Sequence, residues 1–258
     1  MAIFFRLNWI RQIPRMLGSI SVISLMTLLK RRDLFKRTLS DTNRSFYMAW
    51  EMCLPSITPQ EITGNHCSTS LILDRERMSI GIGELIPLLE IINLSGAKQI
   101  LEIGTSSGGT TWHLAANTGA DGSIFTVDLP PDASQNTYSS QKLATSRSTA
   151  NTLGRFFRGT PEAQKITQIL VDSRNLLDEV GKEKFDLIFI DAAHTYEYVK
   201  IDTQNSLRLI RDGGYIVWHD YFVFHPDYGV FQYLHELNRE MPVYRLDNSL
   251  CGVTKVKM

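Results

Sequence analysis

The sequence predicts an α/β protein, with a doubly wound, mostly parallel sheet that closes in an antiparallel hairpin and carries a helical N-terminal extension. Three observations predict it. Short β-branched or aromatic-rich runs at 99–103, 123–128, 166–171, 185–190 and 214–218 alternate with helical patterns near 109–117, 140–153, 173–180, 196–211 and 228–240. Acids gather where those runs end, at Glu102, Asp128, Asp172 and Asp191. The tail holds two strand-like runs, 242–248 and 250–257, with almost nothing between them, and only a tight antiparallel turn can join such a pair.

The 258 residues suffice for one large α/β domain plus an extension, divided here as a basic helical extension over 1–75 and a main domain over 76–258. Lys and Arg number 27, and so do Asp and Glu, but the charge is uneven. Residues 1–45 hold nine basic and two acidic side chains, which leaves the remainder acidic. An acidic main domain argues against nucleic-acid binding, which needs a basic face. Met16–Leu29 is the longest apolar stretch; its 14 residues include three serines and a threonine, whereas a membrane span needs about 20 residues. Residues 1–45 read as an amphipathic helix packed on the main domain or on a second subunit, as a helix lying on an anionic membrane surface, or as a cleaved signal. Cys53, Cys67 and Cys251 are scattered, which reads as reduced and cytoplasmic.

After a turn-rich link through Pro55, Pro59, Gly64 and Asn65, the apolar segment Ile80–Leu94 reads as a helix, with Pro87 as a kink or a first turn. The most informative stretch follows. The run ending at Glu102 leads into Gly104 and Gly108, then a helix, then a second run ending at Asp128. Strand, glycine turn, helix, strand and terminal acid build a nucleoside-binding crevice at the carboxyl edge of an open sheet. The dinucleotide fingerprint needs G-x-G-x-x-G, but here an acid precedes the first glycine and the spacing is longer. A carboxylate there repels a pyrophosphate and suits an ammonium or sulfonium, while Asp128 can accept from both ribose hydroxyls. A nucleoside with a cationic tail therefore fits better than NAD. Gly104 is expected to allow the sharp turn and Gly108 a close approach of the ligand. Thr105, Ser106 and Ser107 offer hydroxyls and N–H groups at a helix N-terminus.

These residues resemble motifs I and II of the class I S-adenosylmethionine-dependent methyltransferases. The family's sheet has seven strands in a Rossmann-like order, the last antiparallel, which the tail matches. The resemblance implies that the glycine loop holds the methionine end of the cofactor, with Glu102 near its amino group. It also implies that Asp128 grips the ribose and that Asp172, beside Ser173 in "VDS", reaches the adenine amino group. Asp172 as a plain helix cap is the competing reading.

A second cluster lies in "IDAAHTY" (190–196) and "GGYIVWHDY" (213–221). Asp191 and Asp220 arrive from neighbouring parallel strands, about 5 Å apart, and repel unless a cation or proton separates them. A divalent ion such as Mg2+ is a natural occupant. The pairing resembles the branch containing macrocin-type sugar O-methyltransferases and cephalosporin-hydroxylase-like proteins, over roughly residues 80–257. Some members of that branch hold Mg2+ with acids at these positions plus a further acid. Here His219 stands in place of the acid beside Asp220, and histidine suits softer metals. The metal set is Asp191, His219 and Asp220.

His194 is the candidate general base, because an imidazole accepts a proton near neutral pH. Helix capping competes with that role, and His219 is the alternative base. His66, His113, His225 and His235 read as ordinary surface or helix residues. Tyr221, Phe222, Phe224 and Tyr228 wall the acceptor pocket or fill the core, and loop 129–139 and residues 60–70 read as a lid or plain connections.

The expected activity is methyl transfer to the hydroxyl of a small molecule or saccharide. Its rivals are a non-catalytic domain that docks on a membrane assembly through residues 1–45, and an NAD(P)-dependent oxidoreductase. A homo-oligomer is compatible with the extension.

Overall fold

The computed structural model describes residues 54–64, 69, 71–72, 80–131, 150–181, 184–223 and 228–257. The expectations for residues 1–45, Cys53, Cys67, His66, Phe224 and His225, for 65–68 and 70 of the stretch 60–70, for 132–139 of loop 129–139 and for 140–149 of the helical pattern near 140–153 lie outside the described residues.

In chain order the elements are β1 (Ser56–Ile57), α1 (Pro59–Thr63), α2 (Ile82–Ser95), β2 (Gln99–Ile103), α3 (Gly109–Asn117), β3 (Ser123–Asp128) and β4 (Ile166–Leu170). They continue with α4 (Leu176–Val180), β5 (Phe185–Ile190), α5 (Tyr196–Leu209), β6 (Ile210–Trp218), α6 (Val230–Leu237), β7 (Tyr244–Leu246) and β8 (Gly252–Lys255). The sheet order is β1-β7-β8-β6-β5-β2-β3-β4. Strands β4, β3, β2, β5 and β6 run parallel, and β8 pairs antiparallel with both β6 and β7.

All five predicted strands and the terminal hairpin form. The sheet holds eight strands because Ser56–Ile57, from the predicted extension, pairs parallel with β7 at the outer edge. Leu54 N–H donates to the buried Tyr221 hydroxyl at 2.9 Å, and Arg245 N–H donates to the Pro55 carbonyl at 2.9 Å. Residues 54–57 are thus built into the sheet.

Both faces of the sheet are covered, so its inner strands read as unbroken apolar runs. In β5, Leu187 and Phe189 pack toward α2 and α3, while Ile188 and Ile190 pack toward α5 and α6. That is the two-residue period of a strand. Helix α2 runs through Pro87 with its start at Ile82, so the proline lies past the first turn. Glu84 at the third helical position caps the start by accepting from Gly81 N–H at 3.2 Å. The helical pattern expected over 173–180 is a 3-10 turn, Ser173–Asn175, followed by the short α4.

Candidate active site

The glycine loop between β2 and α3 is braced by Asp128, Asp191 and Phe157. Gly104 has φ +110°, and a Cβ there would sit 2.0 Å from the Asp191 carbonyl oxygen. The residue must therefore be glycine for two reasons, conformation and space. Gly108 has φ +82°, and its missing Cβ is replaced by the Phe157 ring at 2.5 Å. Phe157 thus fills the direction in which a Gly108 side chain would point. Ser106 N–H donates to Asp128 Oδ2 at 2.7 Å, and Leu129 N–H donates to Oδ1 at 2.8 Å. Each Asp128 oxygen thus keeps acceptor capacity after pinning the loop. Burial raises the Asp128 carboxyl, against the lowering pull of these N–H groups.

Glu102 is wholly buried beneath the loop. Its Oε2 accepts from the hydroxyls of Thr111 and Thr126, the latter at 2.6 Å. Thr105 Oγ1 lies 2.7 Å from Thr126 Oγ1, so this hydroxyl is turned into the network below the loop instead of toward a ligand. Burial pushes the Glu102 carboxyl up to about 8, although both threonines act to lower it. Its Oε1 has no hydrogen-bond partner among the described residues. Thr111 and Thr126 were missed by sequence reasoning. Thr126 could have been found, because strand register sets it directly opposite Glu102.

Asp172 caps the 3-10 turn. It accepts from Arg174 N–H at 3.0 Å, from the Arg174 guanidinium at 2.7 and 3.0 Å, and from the Tyr198 hydroxyl at 3.2 Å. Burial would raise its carboxyl, but Arg174 outweighs that and holds it below the usual range. Ser173 is buried beside it and accepts at its carbonyl from Asn205 at 2.9 Å.

The second cluster forms at the carboxyl ends of β5 and β6. Asp191 N–H donates to Ile103 O at 2.8 Å and His219 N–H to Ile190 O at 3.0 Å, so the ladder places both residues. Asp220 follows in the left-handed region, φ +58°, which aspartate tolerates better than most residues. His219 Nδ1 lies 3.3 Å from Asp191 Oδ1 and 3.1 Å from Asp220 Oδ1. These are ion-pair distances without the alignment of a hydrogen bond. On the other side of the ring, Nε2 lies 3.1 Å from Glu84 Oε2. Burial works against a charged ring, but the surrounding carboxylates outweigh it and hold His219 above the ordinary histidine range. His194 Nε2 lies 3.3 Å from Asp220 Oδ2, and its ring packs on Tyr228 at 4.6 Å.

The structure therefore joins Asp191, His194, His219 and Asp220 and adds Glu84, which sequence reasoning missed. A glutamate three residues after a helix-starting glycine signals a cap, but nothing in the sequence signals a partner 135 residues away. Tyr221 and Phe222 are core residues, whereas Tyr228 stands at the site. His235 Nε2 pairs with the Tyr221 hydroxyl at 2.8 Å, and His113 is buried between the carbonyls of Gly109 and Ile72.

A family model described as "Methyltransferase domain" matches residues 101–221, from the glycine loop to the second cluster. A protein from Mycolicibacterium vanbaalenii, provisionally named an O-methyltransferase, is 29% identical over 167 residues, 60% of this chain and 66% of that relative. One of the same name from Mycobacterium avium is 31% identical over 156 residues, 56% of this chain and 60% of that relative. The chain thus spans somewhat less than two thirds of the length of these two relatives. The O-methyltransferase TomG from Streptomyces achromogenes, solved with S-adenosylmethionine, shares the fold at TM-score 0.53 and 20% identity, covering 70% of this chain and 82% of its own. Cofactor-bound Rv0187 from MTB matches at 0.53 and 19%, covering 70% and 83%.

Proposed function

We infer that this chain, which belongs to the class I S-adenosylmethionine-dependent methyltransferases, methylates an oxygen of a small-molecule or saccharide hydroxyl. The observation that carries the reading is the pairing of two half-used carboxylates around the glycine loop. Glu102 Oε1 is buried without a partner, and the cofactor's ammonium beside it would favour loss of the proton that burial otherwise holds there, while each Asp128 oxygen has room for a ribose hydroxyl. Asp172 stands ready as a third anchor, with Arg174 and Tyr198 fixing its orientation.

The bound cofactor supplies a methyl group already activated on sulfonium sulfur, so the protein's task is alignment and deprotonation of the acceptor. His194 takes the acceptor's proton. Asp220 holds its Nε2, which leaves Nδ1 to face the hydroxyl, and stabilises the imidazolium that results. Asp191, His219 and Asp220 lie within reach of one divalent ion. Their donor set of two carboxylates and one imidazole fits a borderline cation better than Mg2+, which prefers oxygen alone. Such an ion would lower the acceptor hydroxyl's pKa and lighten the work of His194.

Among the described residues, no helix is long and apolar enough to cross a membrane. A cytoplasmic location goes with this reading and is supported by the scattered cysteines, of which Cys251 is a buried free thiol.

The test is S-adenosylhomocysteine formation, read by mass spectrometry against a panel of phenols, sugars and amines, with and without chelator. Products one methylene heavier from hydroxyl acceptors support the reading; methylation of amines alone overturns it. Full activity in chelator removes the cation and leaves the chemistry to His194.

A further inference from the structure

We propose that Glu84 is the positioning residue of the cation site, a carboxylate set behind His219 that aims its Nδ1 into the gap between Asp191 and Asp220, and that the site accordingly prefers Mn2+-class ions to Mg2+. The proposal rests on the cation reading given above. Two contacts fix the ring. Glu84 Oε2 engages Nε2 at 3.1 Å, and the Phe189 ring meets the imidazole edge-on with centroids 6.2 Å apart. With a cation in place of the Nδ1 proton, the hydrogen bond from Nε2–H to Glu84 makes Nδ1 the lone-pair nitrogen. That atom is buried, lacks an aligned hydrogen-bond partner and faces Asp191 Oδ1 and Asp220 Oδ1 at 3.3 and 3.1 Å. A carboxylate behind a ligating histidine fixes the tautomer and strengthens the nitrogen as a donor.

The same Glu84 oxygen also accepts from Gly81 N–H at 3.2 Å. The start of α2, which lies outside the strand-helix alternation, is thereby fastened to the carboxyl edge of β6. With an imidazole as the third donor, an ion that accepts nitrogen gains over one that demands oxygen.

The experiment is Mn2+ binding to the full chain by electron paramagnetic resonance, with Mg2+ as competitor, for the unaltered protein, Glu84→Ala and Glu84→Gln. Glu84→Ala is expected to weaken Mn2+ at least tenfold while Mg2+ changes less, so the affinity ratio of the two ions falls. Glu84→Gln keeps an acceptor oxygen for both N–H groups and is expected to recover most of the roughly 10- to 100-fold loss usual for removing such outer carboxylates. Unchanged Mn2+ affinity in Glu84→Ala overturns the role of Glu84 and leaves the cation site standing. Absence of Mn2+ binding to the unaltered protein overturns the cation site and this proposal with it. Tighter binding of Mg2+ than Mn2+ overturns the preference. Should Glu84→Ala fail to fold, nitrogen spectra of the unaltered protein loaded with Zn2+ decide: a His219 proton on Nε2 supports the arrangement, and one on Nδ1 overturns it.

Discussion

Asp220 touches two histidines, and His194 is the one it can serve as a catalytic partner: Nε2 of His194 lies 3.3 Å from Asp220 Oδ2, while the other carboxylate oxygen faces His219. A carboxylate so placed fixes one ring nitrogen and frees the other. Replacing His194 with Ala is expected to lower kcat by roughly 100- to 10,000-fold, the usual range for a general base. Cofactor affinity should stay within about twofold, since the partners of His194 are Asp220 and Tyr228 and neither belongs to the glycine loop. Single-turnover kinetics alongside calorimetric binding separates the two effects, and a kcat equal to that of the unaltered enzyme removes His194 from the chemistry.

Asp128 ends β3 at the carboxyl edge of the sheet and anchors the glycine loop through Ser106. Asp128→Ala is expected to weaken S-adenosylmethionine at least tenfold, because hydrogen bonds to a charged group contribute about 1.5–3 kcal/mol. Asp128→Asn keeps acceptor capacity on one oxygen only and should fall between. Isothermal titration measures both, and unchanged affinity in the alanine variant moves the ribose elsewhere.

Glu102 makes the cofactor-free protein sensitive to alkali. The unfolded chain loses this proton as pH passes about 4.5, whereas burial keeps it on the folded protein to about 8. Between those values the folded state binds more protons, so this contribution is complete below about pH 4.5 and is lost as pH rises through 8. The change is on the order of 5 kcal/mol at most. Glu102→Gln should flatten that slope. Denaturant unfolding of both proteins from pH 5 to 8 checks it, and parallel curves would show that Glu102 ionises freely in the fold. Asp202, raised by burial to about 7, acts in the same direction in both proteins and cancels in the difference.

The basic segment 1–45 is expected to carry the chain onto anionic vesicles. Flotation with phosphatidylserine-containing liposomes should recover the full chain and lose a variant lacking those residues. Equal flotation of both, or of neither, ends the membrane reading.

Features that depend on local pattern are legible in the amino-acid sequence. The five parallel strands announce themselves as apolar runs, and the adjacency of Asp191 and Asp220 follows from consecutive strand ends. Asp172 shows the limit of motif reading: the sequence leaves ligand contact and helix cap both open, and only the structure shows the cap and its ion pair with Arg174, two residues on. Ser56–Ile57 are illegible for another reason: two residues carry no period, and their strand exists only because β7 offers an edge. Glu84 sits in a stretch whose apolar pattern reports α2 alone. Its second task arises from a contact between the start of one helix and the end of a distant strand.

Gly104 leaves no slack between the glycine loop and the residues that follow β5, since the Asp191 carbonyl fills the very space a side chain would take. On the function proposed above, the cofactor and acceptor halves of the site would share a single wall. Anyone remodelling acceptor choice through the loop after β5 will also disturb the cofactor's seat, so selection schemes should diversify both together and score them as one unit.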